Sequence, residues 1–379
     1  MKRCLCMLLL FAALLPGPVS SPRVLRDGDI PIRAPSAILL EQETGAVLYE
    51  KNADERLAPA SVTKVMTLLL ILEDLDAGKI RLDDVVTASP RAASFGGSCV
   101  FLEEGERMSV EEMLKCIAVV SANDCAVAMA EHLSGTEELF VERMNRRAEE
   151  LGLSNTHFTN CTGLFDDEEH YSSARDLALL SRELMRHEAI KDYSTIWMDS
   201  IRDGAFELVN TNKLVIRYEG CTGLKTGFTS KAMYCLAATA ERDGAAYVAV
   251  VMHADSADSR NADAAALLNY AFANFRLCSL RPEQPLPRLP VEMGKAGGVS
   301  LVCGGEAWAL APKGGAPQYS LSLPELLSAP LREGQQVGTL TVRLGDQVLA
   351  EVPILCAEEV ERIGFWGLFK KLAAGLIGL

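Results

Sequence analysis

The amino-acid sequence predicts an α+β fold, in which a larger mixed domain is followed by a small all-β domain. Three observations lead to this prediction: strand-like segments at both ends of residues 36–278, mainly helical patterns over residues 110–190, and short alternating runs over the Gly-rich residues 291–357. Strands that flank a helical region are expected to meet in one sheet. Residues 279–290 contain four prolines, which predicts a linker between the two domains. A chain of 379 residues is long enough for both.

The first domain is expected to open with a β-hairpin, "SAILLEQETGAVLYEKN", which turns at residues 43–45. A helix is predicted from Ala60, and its apolar centre indicates that it is buried. Ser109 and Glu112 form the pattern of a capping box, which predicts the start of another helix. The remaining elements are predicted in this order: helices at 123–135, near 137–152 and near 172–187, strands at 222–229, 232–242 and 245–254, and a helix at 259–275.

Composition excludes some classes of function. The formal net charge is −14, so no nucleic-acid partner is predicted, because phosphate binding needs a basic surface. The five histidines have no HExxH or comparable spacing, so no metal site is predicted. Nine of the eleven cysteines follow the first 21 residues and form no CxxC or regular framework, which favours buried thiols over disulfides.

The two ends of the chain predict export and membrane contact. A short basic start, the apolar run "CLCMLLLFAALLP" and the small residues "GPVSS" predict a signal peptide over residues 1–21. Residues 358–379 are interpreted as an amphipathic helix, because an apolar stripe recurs every three or four residues from Phe365. Trp366 and two lysines fit a helix that lies in a membrane interface. The alternative is a helix packed on the all-β domain.

Ser61 and Lys64 begin the expected helix as S-x-x-K. Residues i and i+3 share a helix face, so the lysine can reach the serine hydroxyl. A serine is a weak nucleophile until a base takes its proton, and a lysine can be that base when burial lowers its pKa. The N–H groups at a helix start could also stabilise an oxyanion. Alone, the pattern fits a capping serine and a surface lysine equally well.

Two further motifs follow in the chain. Ser121 and Asn123, in "SAND", place a hydroxyl and an amide in a loop between two helices. A helix-start turn would explain them as well. Lys225, Thr226 and Gly227 lie on a predicted strand and offer a positive charge, a hydroxyl and close backbone approach. The alternative for these three is an edge strand with a glycine kink.

Together the three motifs form the triple of penicillin-binding proteins and class A β-lactamases. The sequence resembles the low-molecular-mass penicillin-binding proteins, which are serine-type D-alanyl-D-alanine carboxypeptidases. The resemblance covers residues 36–278 and is carried by these segments: "APASVTKVMT", "AASFGGSCVFLEEGERMSVEEMLK", "VSANDCAVAMAEHLSG", "NTHFTNCTGL", "HYSSARDLALL" and "GLKTGFTSKAMYCLAATA". It implies a β-lactamase/transpeptidase-like domain, and the later Pro-rich, all-β and amphipathic segments fit the family's layout less specifically.

The resemblance also implies roles for the catalytic residues. Ser61 would be the acylated nucleophile and Lys64 its base. Ser121 would pass a proton to the leaving amine, and Asn123 would hold the substrate backbone. Ala122 replaces a glycine common at the centre of this motif, which should matter little because only the flanking residues act.

The carboxylate end of the substrate would be bound on the strand. Lys225 and Thr226 would bind near this carboxylate, and Arg260 in "ADSRNAD" resembles the family's further carboxylate-binding arginine. From the residues alone, Arg260 also fits a solvated helix start. Gly227 allows close approach, and the N–H of Phe228 could complete an oxyanion hole.

The function implied is removal of the terminal D-alanine from peptidoglycan stem pentapeptides through a Ser61 acyl-enzyme. The partners would be a stem peptide ending in D-Ala-D-Ala and β-lactams as covalent inhibitors, with no cofactor. The enzyme would be exported and peripheral on the outer face of the cytoplasmic membrane. Three alternatives stay open: a D,D-endopeptidase, a β-lactamase that uses the acidic cluster at 166–169, and a non-catalytic wall-binding protein.

Overall fold

The computed structural model describes residues 24–26, 28–165 and 167–369. These residues divide into two compact units, of which the first ends at Arg276 and the second begins at Leu277. The predicted signal peptide, residues 1–21, lies outside the described residues.

The first unit contains a helical region between strands that come early and late in the chain. Its elements are, in order, β1 (Leu25–Arg26), β2 (Ser36–Glu41), β3 (Val47–Lys51), a 3₁₀ turn (Ala60–Thr63), α1 (Lys64–Asp76), β4 (Val85–Thr87), α2 (Pro90–Ala93), β5 (Arg107–Ser109), α3 (Val110–Val119), α4 (Asn123–Ser134), α5 (Glu137–Glu150), α6 (Ala174–Leu184), α7 (Ile190–Ser194), β6 (Met198–Ile201), β7 (Phe206–Val209), α8 (Leu214–Arg217), β8 (Cys221–Thr229), β9 (Met233–Arg242), β10 (Ala245–Ala254) and α9 (Ala257–Asn274).

The central sheet has six strands in the order β1-β3-β2-β10-β9-β8. The early and late parts of the chain meet where β2 pairs antiparallel with β10, for example Ile38 with Val250. Among the described residues strand β8 pairs with β9 only, so it forms one edge of this sheet. The prediction of one sheet built from both ends, with helices between, is confirmed.

Hydrophobic burial fixes the helices against this sheet. Helix α1 is apolar nearly all round, and residues 64–72 are all buried, which places it inside the helical region. Ser109 and Glu112 make both hydrogen bonds of the predicted capping box, which satisfies N–H groups at the start of α3. Burial of α1 matters for the chemistry because its first residue is a lysine.

The second unit is all-β, as predicted. Its strands are β11 (Phe275–Ser279), which spans the boundary, β12 (Leu289–Glu292), β13 (Gly298–Val299), β14 (Leu301–Cys303), β15 (Trp308–Pro312), β16 (Gln318–Ser322), β17 (Leu327–Ser328), β18 (Gln336–Leu344) and β19 (Gln347–Cys356). The largest sheet has the order β14-β19-β18-β16. Leu340, Val342 and Ile354 are buried in its core.

The C-terminal helix begins at residue 365, whereas the sequence predicts a start at residue 358. Residues 358–364 are not helical, because Val360 is buried and pairs with Leu331, while Arg362 pairs with Gly294. This non-local pairing keeps the segment in the all-β unit. A helix is described over residues 365–369, and residues 370–379 of the predicted helix lie outside the described residues.

No helix within the described parts of the chain is both long enough and apolar enough to cross a membrane.

Candidate active site

Ser61 and Lys64 meet where the 3₁₀ turn leads into α1. Ala60 has φ +47°, in the left-handed region, immediately before Ser61. The turn brings the two side chains onto one face, and Lys64 Nζ lies 3.1 Å from Ser61 Oγ. Ser61 is partly exposed, whereas Lys64 is completely buried. The turn therefore presents a hydroxyl to solvent with an amine behind it.

The Lys64 amine is held by two further acceptors. It donates to Asn123 Oδ1 at 2.6 Å and to the Thr162 carbonyl at 2.8 Å. Burial disfavours the charged form of a lysine and lowers the pKa of Lys64 to about 7, although Cys161 and other nearby acidic groups act in the opposite direction. A substantial fraction of this amine is therefore neutral near pH 7, so it can accept a proton.

Ser121 and Asn123 follow the end of α3. Ser121 is buried with φ +65°, and among the described residues its Oγ has no hydrogen-bond partner. Asn123 begins α4 and spans the site, because its Oδ1 accepts from Lys64 while its Nδ2 donates to the Gly96 carbonyl at 2.8 Å. The Asp124 carboxylate accepts backbone N–H groups from the loop that contains Gly96 and so holds that loop beside the site.

Strand β8 approaches the Ser61 turn at its glycine. A Cβ atom at position 227 would lie 3.0 Å from Ser61 N and 2.8 Å from the Pro59 carbonyl, so Gly227 is required for this packing. Lys225 is buried and donates to the Thr226 carbonyl at 2.9 Å. Burial lowers the pKa of Lys225 well below its usual value, and the charges of Lys64 and Arg260 lower it further.

Three other predicted site residues lie on or near β8: Thr226 and Arg260 are buried, and Phe228 is exposed. Thr226 Oγ1 donates to Thr211 Oγ1 at 2.7 Å. Arg260 is buried in the first turn of α9, with its guanidinium 5.9 Å from the centre of the Tyr234 ring. Burial lowers the pKa of Arg260. Phe228 is 54% exposed and its ring packs on that of Tyr234 at 4.4 Å.

The structure thus joins the three motifs at one place, although not all by direct contact. Ser61, Lys64 and Asn123 form one hydrogen-bonded group, and Gly227 packs against the Ser61 turn. Lys225 makes no direct hydrogen bond to Lys64 among the described contacts, but the charge of Lys64 lowers the pKa of Lys225. This arrangement of a partly exposed hydroxyl, a buried amine and a strand edge supports acyl transfer to serine.

Comparison with known families decides the assignment. The family model described as D-alanyl-D-alanine carboxypeptidase, peptidase S11, matches residues 23–256, and that of the penicillin-binding protein 5 C-terminal domain matches residues 283–362. The chain belongs to the peptidase S11 family. It is a serine-type D-alanyl-D-alanine carboxypeptidase, and the predicted fold class and family are confirmed.

Similarity extends over nearly the whole carboxypeptidase chain. The D-alanyl-D-alanine carboxypeptidase DacF of Bacillus subtilis is 43% identical over 381 residues, which cover 98% of each chain. The crystal structure of penicillin-binding protein 5 from Haemophilus influenzae has a TM-score of 0.76 at 31% identity and covers 87% of this chain and 98% of its own. Penicillin-binding protein D2 from Listeria monocytogenes, in the ampicillin-bound form, has a TM-score of 0.59 at 32% identity and covers 64% and 98%.

Sequence reasoning missed several residues that surround this carboxypeptidase site. The Thr162 carbonyl accepts from Lys64, His170 lies 2.8 Å from Thr63 Oγ1, and a Cβ at Gly163 would lie 1.9 Å from the Ala60 carbonyl. Their segment, "NTHFTNCTGL…HY", carries part of the resemblance, but its sequence predicts no role for these residues. A backbone carbonyl has no residue-type signature, so only a family alignment could have drawn attention to this segment.

Proposed function

We propose that Ser61 Oγ attacks the carbonyl of the penultimate D-alanine while Lys64 Nζ takes the hydroxyl proton. The observation that carries this proposal is the hydrogen bond of 3.1 Å between the two atoms. Burial lowers the pKa of Lys64 to about 7, which suits a base that works near neutral pH. The product of attack is a tetrahedral oxyanion, which the N–H of Ser61, together with that of Phe228, stabilises.

Ser121 then carries the proton to the leaving amine. Its buried Oγ makes no other hydrogen bond among the described residues, which suits a group that is kept for a reacting atom. Asn123 both fixes the Lys64 amine and offers its side chain to the substrate backbone. Collapse of the intermediate breaks the peptide bond, releases D-alanine and leaves the ester on Ser61, which water hydrolyses with Lys64 as base.

The terminal carboxylate of the substrate is bound by positive charge on β8 and α9. Lys225 and Arg260 are both buried; burial lowers the pKa of Lys225, and the charges of Lys64 and Arg260 lower it further. An incoming carboxylate favours the charged form of Lys225, so we place it beside Lys225, Arg260 and the Thr226 hydroxyl. The same site binds the carboxylate of a β-lactam, whose ring opens on Ser61 without losing a leaving group, and the protein is thereby trapped.

The surroundings of the acidic cluster at residues 166–169 do not favour the β-lactamase alternative. A β-lactamase needs a carboxylate that activates the deacylating water. Asp167, Glu168 and Glu169 are exposed at the surface, as a solvated acidic run would be, and Asp166 lies outside the described residues. The acyl-enzyme formed with penicillin is therefore expected to be long-lived.

We further propose that the protein is exported and lies on the outer face of the cytoplasmic membrane. The signal-peptide pattern of residues 1–21 supports export. Phe365, Trp366 and Phe369 are 75%, 74% and 59% exposed on the described helical turn, which supports insertion of this face into a membrane interface. Peptidoglycan stem peptides are then within reach of the active site.

The test is product analysis on muropeptides. A carboxypeptidase releases free D-alanine from pentapeptide monomers, whereas an endopeptidase converts cross-linked dimers to monomers. We expect D-alanine release by the wild type and its loss in Ser61→Ala. Dimer cleavage without D-alanine release would favour the endopeptidase, and D-alanine release by Ser61→Ala would refute the proposed mechanism.

A further inference from the structure

We propose that His170, which belongs to none of the three motifs, is a positioning residue that holds the catalytic base Lys64 in its buried, water-excluded position. It acts through residues 159–163, here called the clamp segment. The inference rests on the proposed roles of Ser61 and Lys64. It concerns a histidine that touches neither Ser61 nor Lys64, so its function follows only from the contacts between them.

The clamp segment lies along one face of the catalytic turn and helix. The Cys161 carbonyl accepts from Thr67 Oγ1 at 2.7 Å, and the Thr162 carbonyl accepts from Lys64 Nζ at 2.8 Å. Gly163 packs on the Ala60 carbonyl so closely that a Cβ would lie 1.9 Å from it. Lys64 and Thr67 are three residues apart on α1 and therefore share one face of that helix, and the Ala60 carbonyl lies in the turn that precedes it. Three consecutive clamp residues thus cover the face that carries the base.

His170 ties this segment to the catalytic turn. The backbone N–H of Thr159 donates to His170 Nδ1 at 3.0 Å, and a backbone N–H can only donate. Nδ1 is therefore the acceptor, so the ring proton is on Nε2. Nε2–H then donates to Thr63 Oγ1 at 2.8 Å. A neutral imidazole in one defined tautomer thus links the first residue of the clamp to the residue immediately before Lys64.

The shape of the clamp is fixed from within as well. Asn160 Oδ1 accepts from the backbone N–H groups of Thr162 and Gly163 at 3.1 and 2.6 Å. The Asn160 amide nitrogen lies 3.4 Å from His170 Nδ1. Asn160 thus holds residues 160–163 in one conformation, and His170 adds a hydrogen-bonded link from this segment to Thr63, beside which Gly163 packs.

The charges around the two groups favour a neutral His170. Burial, together with the charges of His157 and Lys64, lowers the pKa of His170 to about 4, and Asp167 opposes this shift. The groups that act on Lys64 are Cys161, Cys99 and Asp124, and the Lys64 charge in turn acts on Lys225. His170 thus adds no positive charge beside Lys64 at neutral pH. Its contribution is to hold the clamp segment against Thr63, so that water does not reach the Lys64 amine.

Loss of the link has a specific expected result. In His170→Ala the clamp is no longer joined to Thr63, so water reaches the Lys64 amine and its pKa rises toward the ordinary value of 10.5. The acid limb of the acylation rate then moves to higher pH, and a shift of about one unit lowers acylation roughly tenfold on that limb. His170→Gln retains one donor and one acceptor, so it keeps the midpoint closer to that of the wild type.

The experiment measures acylation by fluorescent penicillin from about pH 5 to about pH 9. It uses the full chain, with wild type, His170→Ala, His170→Gln and Thr63→Val; exposed His132→Ala is the matched control. Thr63→Val removes only the acceptor for Nε2–H and is expected to shift the midpoint like His170→Ala. Misfolded protein lowers the labelled amount without moving the midpoint, because only folded protein is acylated.

The inference is supported if the midpoint rises in His170→Ala and Thr63→Val, less so in His170→Gln, and stays in His132→Ala. It is overturned if the two shifting variants keep the wild-type midpoint, or if His132→Ala moves it equally. If His170→Ala does not fold, Thr63→Val decides. Labelling that persists in Ser61→Ala would instead refute the proposed function, so the two failures are distinguishable.

Discussion

Replacement of Lys64 by methionine should change how the stability of the protein depends on pH. The pKa of Lys64 is lowered from 10.5 to about 7 in the folded protein, because the amine is completely buried. Between these two values the unfolded chain binds a proton that the folded chain does not. The free energy of unfolding of the wild type therefore rises as the pH rises from about 7 to about 10.5, and the penalty for burying the charged amine is fully present below about pH 7.

The magnitude follows from the same shift. Each pH unit in this window contributes about 1.4 kcal/mol, so from about pH 7 to about pH 9 the wild type should gain about 3 kcal/mol relative to Lys64→Met. Lys64→Met also loses the hydrogen bonds to Asn123 and Thr162, which changes the free energy of unfolding at every pH. This loss does not by itself make the free-energy difference between the two proteins depend on pH.

The assay is guanidinium unfolding of the full chain at both pH values, followed by circular dichroism. Ser61→Ala is the matched control, because it removes the partner hydroxyl and keeps the lysine; its pH dependence should follow the wild type. The reasoning is refuted if wild type and Lys64→Met have the same pH dependence, or if the wild type loses stability relative to the variant as the pH rises.

Three further outcomes are expected. The rate of penicillin acylation by the wild type should fall about tenfold per pH unit below about pH 7, since Lys64 must be neutral; a flat profile in labelling kinetics would exclude it as the base. Gly163→Ala should lower the rate of acylation at least about tenfold, because the added Cβ would lie 1.9 Å from the Ala60 carbonyl oxygen and must push the catalytic turn away. An acylation rate equal to that of the wild type would contradict the need for this close contact. Deletion of residues 365–379 should move the protein from the membrane to the soluble fraction and leave the all-β unit intact; unchanged partitioning would favour a helix that does not bind the membrane.

Local patterns predicted those parts of the fold whose causes are local. The hairpin and the capping box of Ser109 and Glu112 each depend on residues close together in the chain. The predicted start of the C-terminal helix was wrong because the structure there depends on a contact between residues far apart in the chain. Val360 pairs with Leu331, some thirty positions earlier, and no helical periodicity reveals such a contact.

In the candidate site, too, the sequence predicts contacts between residues close in the chain and misses contacts between distant ones. The spacing of Ser61 and Lys64 predicts their contact, because one helical turn separates them. The Thr162 carbonyl and His170 were not predicted, since one is a backbone group and the other acts through Thr63. The low pKa of Lys64 was expected from the apolar run that follows it, yet its acceptors come from two distant segments that only tertiary packing brings there.

The most direct test of the account identifies the residue that becomes acylated. Full-length protein is incubated with benzylpenicillin, digested and analysed by tandem mass spectrometry. The account predicts that the peptide containing Ser61 gains the mass of one whole penicillin, fixed at Ser61 Oγ, and that Ser61→Ala gains none. A stable adduct on any other residue, or equal labelling of Ser61→Ala, would contradict the central claim.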